Sequence, residues 1–210
     1  YNAIMDGTWN GTNWLDAIRV KNAPVQNHSF NLSGGNEYSR MSLGLSYTSQ
    51  EGIFGKPTAS QFDRYTARIN SEHVLLKSKN KDYDVIKFSE NLNYMYKANS
   101  GLANGGIYWN DIHNMVNGNP LLPIYDADGN YYDQADKDAD GWKLDPNAYN
   151  PIASMVYGRG QNLTKSHSLQ MNMSLEVQPI KNLKWKSTFG YKMSASSYRR
   201  YTDKYNLSAS

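Results

Sequence analysis

Between Ala23 and Ile53 the chain alternates with a period of two. His28, Phe30 and Leu32 are interleaved with Asn27, Ser29, Asn31 and Ser33; further on, Met41, Leu43, Leu45 and Tyr47 alternate with Arg40, Ser42, Gly44, Ser46 and Thr48. Successive side chains of a strand point to opposite faces, so both limbs read as strands with one apolar and one polar face. The intervening Gly34-Gly35-Asn36-Glu37 is expected to reverse the chain tightly, with glycine supplying positive φ.

The same grammar recurs four times. Tyr65, Ala67 and Ile69 alternate with Arg64, Thr66, Arg68, Asn70 and Glu72. Ile86, Phe88, Leu92, Tyr94 and Tyr96 oppose Lys87, Ser89, Asn91, Asn93 and Lys97, with Glu90 interrupting the apolar face. His167, Leu169, Met171, Met173, Leu175 and Val177 form a fifth apolar row, and Leu183, Trp185, Phe189, Tyr191 and Met193 a sixth. Short turns are expected at 34–37, 77–82 and 178–182, and long connections at 51–61 and 99–163. The latter, rich in Gly, Asn, Asp, Pro and aromatics, is too long for a plain connection in a compact domain.

Short connections at one end and long ones at the other are the habit of transmembrane barrels. The expected fold is therefore all-β, an antiparallel up-and-down transmembrane β-barrel, of which this chain supplies a partial wall of six strands. Residues 1–24 would be an extracellular loop leading into the first hairpin, with a helical turn at Trp14–Ile18 capped by Asn13 and stopped by Pro24. Residues 25–98 would hold strands 1–4, 99–163 the long extracellular loop, 164–197 strands 5–6, and 198–210 the start of another loop.

Composition fits. Hydrophobic residues make up 39% of the chain and mean hydropathy is -0.74, so apolar surface is rationed to alternate positions. No apolar run of about 18 residues occurs, which excludes a membrane-crossing helix but not strands, which need only about 9–11. Arg40, Arg64, Arg68, Lys87, Lys184 and Lys186 on the polar face suit a hydrated lumen. Tyr47, Tyr65, Tyr94 and Tyr96, near the long-loop ends, suit an aromatic girdle, and Trp185 lies near a short turn. A net charge of +3 gives no argument for nucleic acid, and with no cysteine a disulfide framework is excluded. The chain begins at Tyr1 without a signal peptide and is expected to be an internal piece of a longer protein. Periodicity alone also admits a soluble sandwich.

Several stretches resemble the start of the barrel in SusC/RagA-type TonB-dependent transporters of Bacteroidetes. They are Thr12-Asn13-Trp14-Leu15-Asp16-Ala17-Ile18, Ala23-Pro24-Val25-Gln26-Asn27-His28, Leu32-Ser33-Gly34-Gly35, Tyr47-Thr48-Ser49-Gln50-Glu51-Gly52-Ile53, and Phe62-Asp63-Arg64-Tyr65 with Arg68-Ile69-Asn70. Asn119-Pro120, Tyr125-Asp126-Ala127-Asp128-Gly129-Asn130-Tyr131, Asn150-Pro151-Ile152-Ala153 and Leu183-Lys184-Trp185 are similar too. The resemblance implies an outer-membrane barrel of about 22 strands, plugged by an N-terminal domain and partnered by a SusD-like surface lipoprotein. Together they would import oligosaccharides or peptides, energised by TonB. Neither a TonB box nor a plug-like segment is found here, so TonB would engage the missing N-terminal part. The rivals are a soluble or surface-exposed glycan-binding β-domain and an outer-membrane barrel without TonB coupling.

Two loop features carry chemistry. Asp136, Asp138 and Asp140, ahead of Gly141, match the first half of a calcium loop, although the twelfth position is Asn147 and only Asp145 could replace the usual glutamate. Calcium in the 136–145 loop is one reading; a solvated acidic loop tip is the other. Asp126-Ala127-Asp128-Gly129-Asn130 reads as a turn without a metal role. Tyr108, Trp109, Tyr125, Tyr132, Trp142 and Tyr149 would contact substrate or partner through flat aromatic faces, or else pack the loop on itself. His28, His73 and His167 fall on apolar faces and are expected to pack rather than ligate. No nucleophile elbow or phosphate loop occurs, and no catalysis is expected.

Overall fold

The computed structural model describes residues 5–80, 82–101, 111–141, 147–159 and 162–201. Six strands dominate it: β1 (Val25–Gly35), β2 (Ser39–Glu51), β3 (Gln61–Lys77), β4 (Asp84–Ser100), β5 (Leu163–Ile180) and β6 (Leu183–Arg199). They form one antiparallel sheet in the order β1-β2-β3-β4-β5-β6, each strand paired with its sequence neighbours, and the sheet is open at β1 and β6. This is the up-and-down barrel wall expected from the alternation. β3 to β6 are each at least 17 residues long, well beyond the roughly 9–11 that cross a bilayer.

Register turns each strand's alternation into rows. Leu32 faces Leu43, Leu43 faces Ile69, Ile69 faces Leu92, and Leu92 faces Met171, which faces Tyr191. Among the described residues no element packs across either face, and Ser71 is the one strand residue that is buried. Phe30, Leu32, Met41, Trp185 and Phe189 are each more than half exposed. Among the described residues the apolar face has no protein partner.

The short turns differ in detail from expectation. β1 runs through Gly35, and neither Gly34 nor Gly35 has positive φ. The reversal is made by Asn36, whose Oδ1 accepts from the backbone N–H of Tyr38 and of Ser39, both at 2.9 Å. Glycine is needed at 35 for closeness instead: a Cβ there would lie 2.3 Å from the Ser39 carbonyl oxygen. β5 and β6 are joined by Lys181 and Asn182 alone, with Asn182 left-handed at φ 71. Ion pairs link turn to turn. Lys77 reaches Glu37 at 3.2 Å and sits over the Tyr38 ring, and Lys181 reaches Asp82 at 3.7 Å.

At the opposite end lies a small cap. It contains α1 (Trp14–Ala17), α2 (Asp111–Val116), α3 (Gln134–Ala139) and α4 (Pro151–Arg159). Asn13 caps α1 as expected, accepting from the Asp16 amide at 3.1 Å. α1 ends at Ala17, so Pro24 lies past it and is not its stop. Trp14, Ile18, Met115, Leu122, Tyr132, Ile152 and Met155 are buried together. Trp14 Nε1 donates to the Asn119 carbonyl at 3.0 Å, and a Cβ on Gly118 would come within 2.8 Å of the indole.

Candidate functional site

The apolar face ends, toward the cap, in a belt of rings. His28 stacks on Tyr47 with ring centroids 6.2 Å apart. Tyr47 meets Tyr65 at 4.8 Å, Tyr65 meets Tyr96 at 6.1 Å, and Tyr96 meets His167 at 5.0 Å. The belt crosses β1 to β5 without a gap because these residues share a register row. Its polar edges are tied: the Tyr47 hydroxyl donates to Asp63 at 3.0 Å, and the Tyr94 hydroxyl lies 2.8 Å from His167 Nδ1. Such rings, apolar in body and polar at the rim, favour a membrane–water boundary. Trp185 stands on the same face near the short-turn end.

Glu90 breaks the apolar face, and the structure gives it company. Ser71 Oγ donates to Glu90 Oε1 at 3.0 Å, His73 Nε2 lies 3.0 Å from Ser71 Oγ, and Ser39 Oγ lies 2.9 Å from His73 Nδ1. With the Ser71 proton spent on Glu90, Nε2 of a neutral imidazole must be the donor and Nδ1 the acceptor. Polar groups set in an apolar face survive by pairing with one another. The sequence signal was present, since positions 39, 71, 73 and 90 share the parity of apolar neighbours, but only register shows that they adjoin.

The polar face is laced differently toward its two ends. Toward the short turns, Lys87 pairs with Glu72 at 3.6 Å and Asp84 at 3.5 Å, and Lys184 with Glu176 at 2.8 Å. Mid-strand, Asn91 donates to Asn70, which donates to Ser42. Toward the cap, Arg68 Nε donates to Asn93 at 3.4 Å and Arg64 Nη2 to Thr48 at 3.3 Å.

Among the described residues, the loop residues singled out in the sequence do not gather in one place. Tyr125 is exposed and stacks on Tyr131 at 5.2 Å across the expected turn at 126–130, where Gly129 has a positive φ. Tyr131 also meets Tyr157 edge-on at 5.7 Å; burial first, then Tyr125 and Tyr157, push its phenol up to about 12. Tyr132 turns inward, 5% exposed, with its hydroxyl donating to Asp140 at 2.7 Å. Burial, then that carboxylate, pushes its phenol well above the ordinary range. Tyr149 is half-buried. Tyr108, Trp109 and Trp142 lie outside the described residues.

Asp136, Asp138 and Asp140 sit on and just after α3, in a helical turn. Asp136 closes a capping box with Asp133, Asp138 accepts from Gln134 at 2.7 Å, and Asp140 accepts from Tyr132. Three different partners therefore hold the three carboxylates. Among the described residues no three His, Asp or Glu side chains gather into a metal-binding group, and Asp145 lies outside them.

No protein-family model and no curated protein matches the chain. Solved structures do. A chain of the RagAB peptide importer in its closed-closed state is similar over 89% of this chain, at 19% identity and a TM-score of 0.63. The open-open state gives 90%, 18% and 0.62, and a further structure of the RagAB peptide transporter gives 89%, 19% and 0.60. The likeness is one of fold. This chain spans 19% of the length of each of those chains.

Proposed function

We propose that the chain is a wall segment of a SusC/RagA-like outer-membrane importer. The observation that carries this is the single-layered sheet, whose apolar face has no protein partner and ends in a continuous belt of rings. In water such a face has no partner; in a bilayer, lipid is its partner. The polar face then lines the lumen, the three short turns face the periplasm, and the cap faces outside. The fold shared with a peptide importer supports transport as the role of the whole protein. A SusD-like lipoprotein would meet the cap, TonB would act through a part of the protein outside this chain, and an oligosaccharide or peptide would cross. The chain's own task is passive: it holds lipid on one side and water on the other, and performs no catalysis.

The chain has no cysteine, so with any cysteine elsewhere in the protein replaced, single cysteines can be introduced at Leu43 and Ser42. In the full-length protein in outer membranes, a water-soluble maleimide should label Ser42→Cys, whereas Leu43→Cys should resist it until the protein is denatured, because the reactive thiolate does not form in lipid. Equal labelling of both by the water-soluble reagent, or recovery of the protein without detergent, would sink the reading.

A further inference from the structure

Charge on the polar face is sorted by depth. Its acids, Glu72, Asp84 and Glu176, all lie toward the short turns, where Lys87 and Lys184 pair with them. Toward the cap the same face carries Arg64, Arg68 and Lys97. Arg64 and Lys97 are register partners on β3 and β4, like charges placed directly opposite, an arrangement that is unfavourable in itself. Both strands are interior, so their flanking partners are in place: Thr48 and Gly44 on β2, Ser166 and Gln170 on β5. None is acidic. Among the described residues, the side-chain hydrogen bonds of Arg64 and Arg68 go to neutral oxygens of Thr48 and Asn93, which orient a guanidinium and bring it no counter-charge.

From this sorting we infer that the cap-side half of the polar face is an anion-selective stretch of the passage, suited to a carboxylate-bearing oligomer. The inference rests on the proposed transport reading and names the substrate class for it. A polymer with carboxylates at intervals meets Arg64 and Lys97 together, then Arg68 four residues deeper on β3 with Lys192 in the same row, and finds no acid on this face over that stretch. Below Arg68 the face is neutral at Asn70 and Asn91, and then Glu72 and Glu176 stand among Arg40, Lys87, Lys184 and Lys186, so the purely cationic stretch ends where release is required. Carboxylates on a peptide and on a uronic-acid glycan share this chemistry.

The test uses full-length protein in nanodiscs and a variant carrying Arg64→Gln, Arg68→Gln and Lys97→Gln. Binding of labelled oligo-glutamate and oligogalacturonide is compared with that of oligo-glutamine and a neutral galacto-oligosaccharide. The wild type should favour one or both anionic probes, with affinity falling as salt rises, and the variant should bind them about tenfold more weakly while neutral probes are unaffected. The probe that responds identifies peptide or glycan. Equal treatment of charged and neutral probes by wild type and variant overturns the inference. So does an equal loss for every probe in a folded variant, since the cations would then hold another part of the protein. If the wild type does not partition into membranes, the transport reading falls as well; if it does and the charge effect is absent, only this inference falls.

Discussion

The sheet and the cap solve opposite problems with the same chain. In the cap, Trp14, Met115, Leu122, Ile152 and Met155 bury one another, as residues of a water-soluble core do. In the sheet, six long strands bury almost nothing among themselves, and Phe30, Leu32 and Phe189 stay exposed although their backbone hydrogen bonds are complete on at least one side. The lesson is that regular secondary structure and burial are separable. A cap of short helices carries its own apolar interior, whereas the sheet leaves its apolar surface uncovered.

That contrast is sharpest at Trp14. Replacing Trp14 with Ala should cost the cap about 3–5 kcal/mol, because the indole fills the core and holds the Asn119 carbonyl. Protease nicking of residues 111–159 should rise steeply while barrel assembly, read by heat-modifiable migration, persists. Loss of assembly as well would mean the two regions are one cooperative unit. Next in size, Leu43→Arg should impair insertion by about 2–4 kcal/mol, and Ser42→Arg should be tolerated. The fraction inserted into bilayers measures both, and equal effects would count against the assigned faces.

A smaller effect is expected at Asn150, buried at the start of α4. Its Oδ1 accepts from the amides of Ile152 and Ala153, both at 3.1 Å, and its Nδ2 donates to the Ile124 carbonyl at 2.7 Å. With Pro151 following it, Asn150 caps the helix and ties it to the 119–125 segment. Asn150→Ala should lose about 1–2 kcal/mol of cap stability, seen as faster amide exchange at Ile152 and Ala153 but not in β2 or β3. The mildest probe is alkali. Tyr131 and Tyr132 have phenols raised above 10.0 in the folded cap, so their contribution is fully present below about 10 and fades as pH rises toward about 12. Tyrosinate absorbance and cap proteolysis should rise together across that window, with the sheet's far-UV circular dichroism unchanged.

The strands were legible because alternation is a signal spread over many residues, and Leu43, Ile69, Leu92 and Met171 each repeat it. Neighbours across strands were not, because parity gives a face without giving a row. Thus the tyrosines near the long-loop ends were visible as a girdle, while the places of His28 and His167 in it depended on register. The first turn was misplaced for a different reason: two glycines resemble a positive-φ pair, yet the work of reversal falls to the Asn36 side chain. The cap was the least legible part. Its helices α2 and α3 have six residues each, too few for a helical period to declare itself, and the Trp14 core unites residues more than a hundred positions apart.

That last distance has a consequence in time. Every strand pairs with the one made just before it, so the sheet can be laid down as successive hairpins with little searching. The cap cannot. Thr12 donates to the carbonyl of Leu122, 110 residues later, and Trp14 waits for Asn119. Four strands must exist before either partner arrives, and the loop-closure cost of that wait grows only slowly with length. The cap is therefore a clasp: it fastens the beginning of the chain to the stretch between β4 and β5, with β1 to β4 enclosed between them.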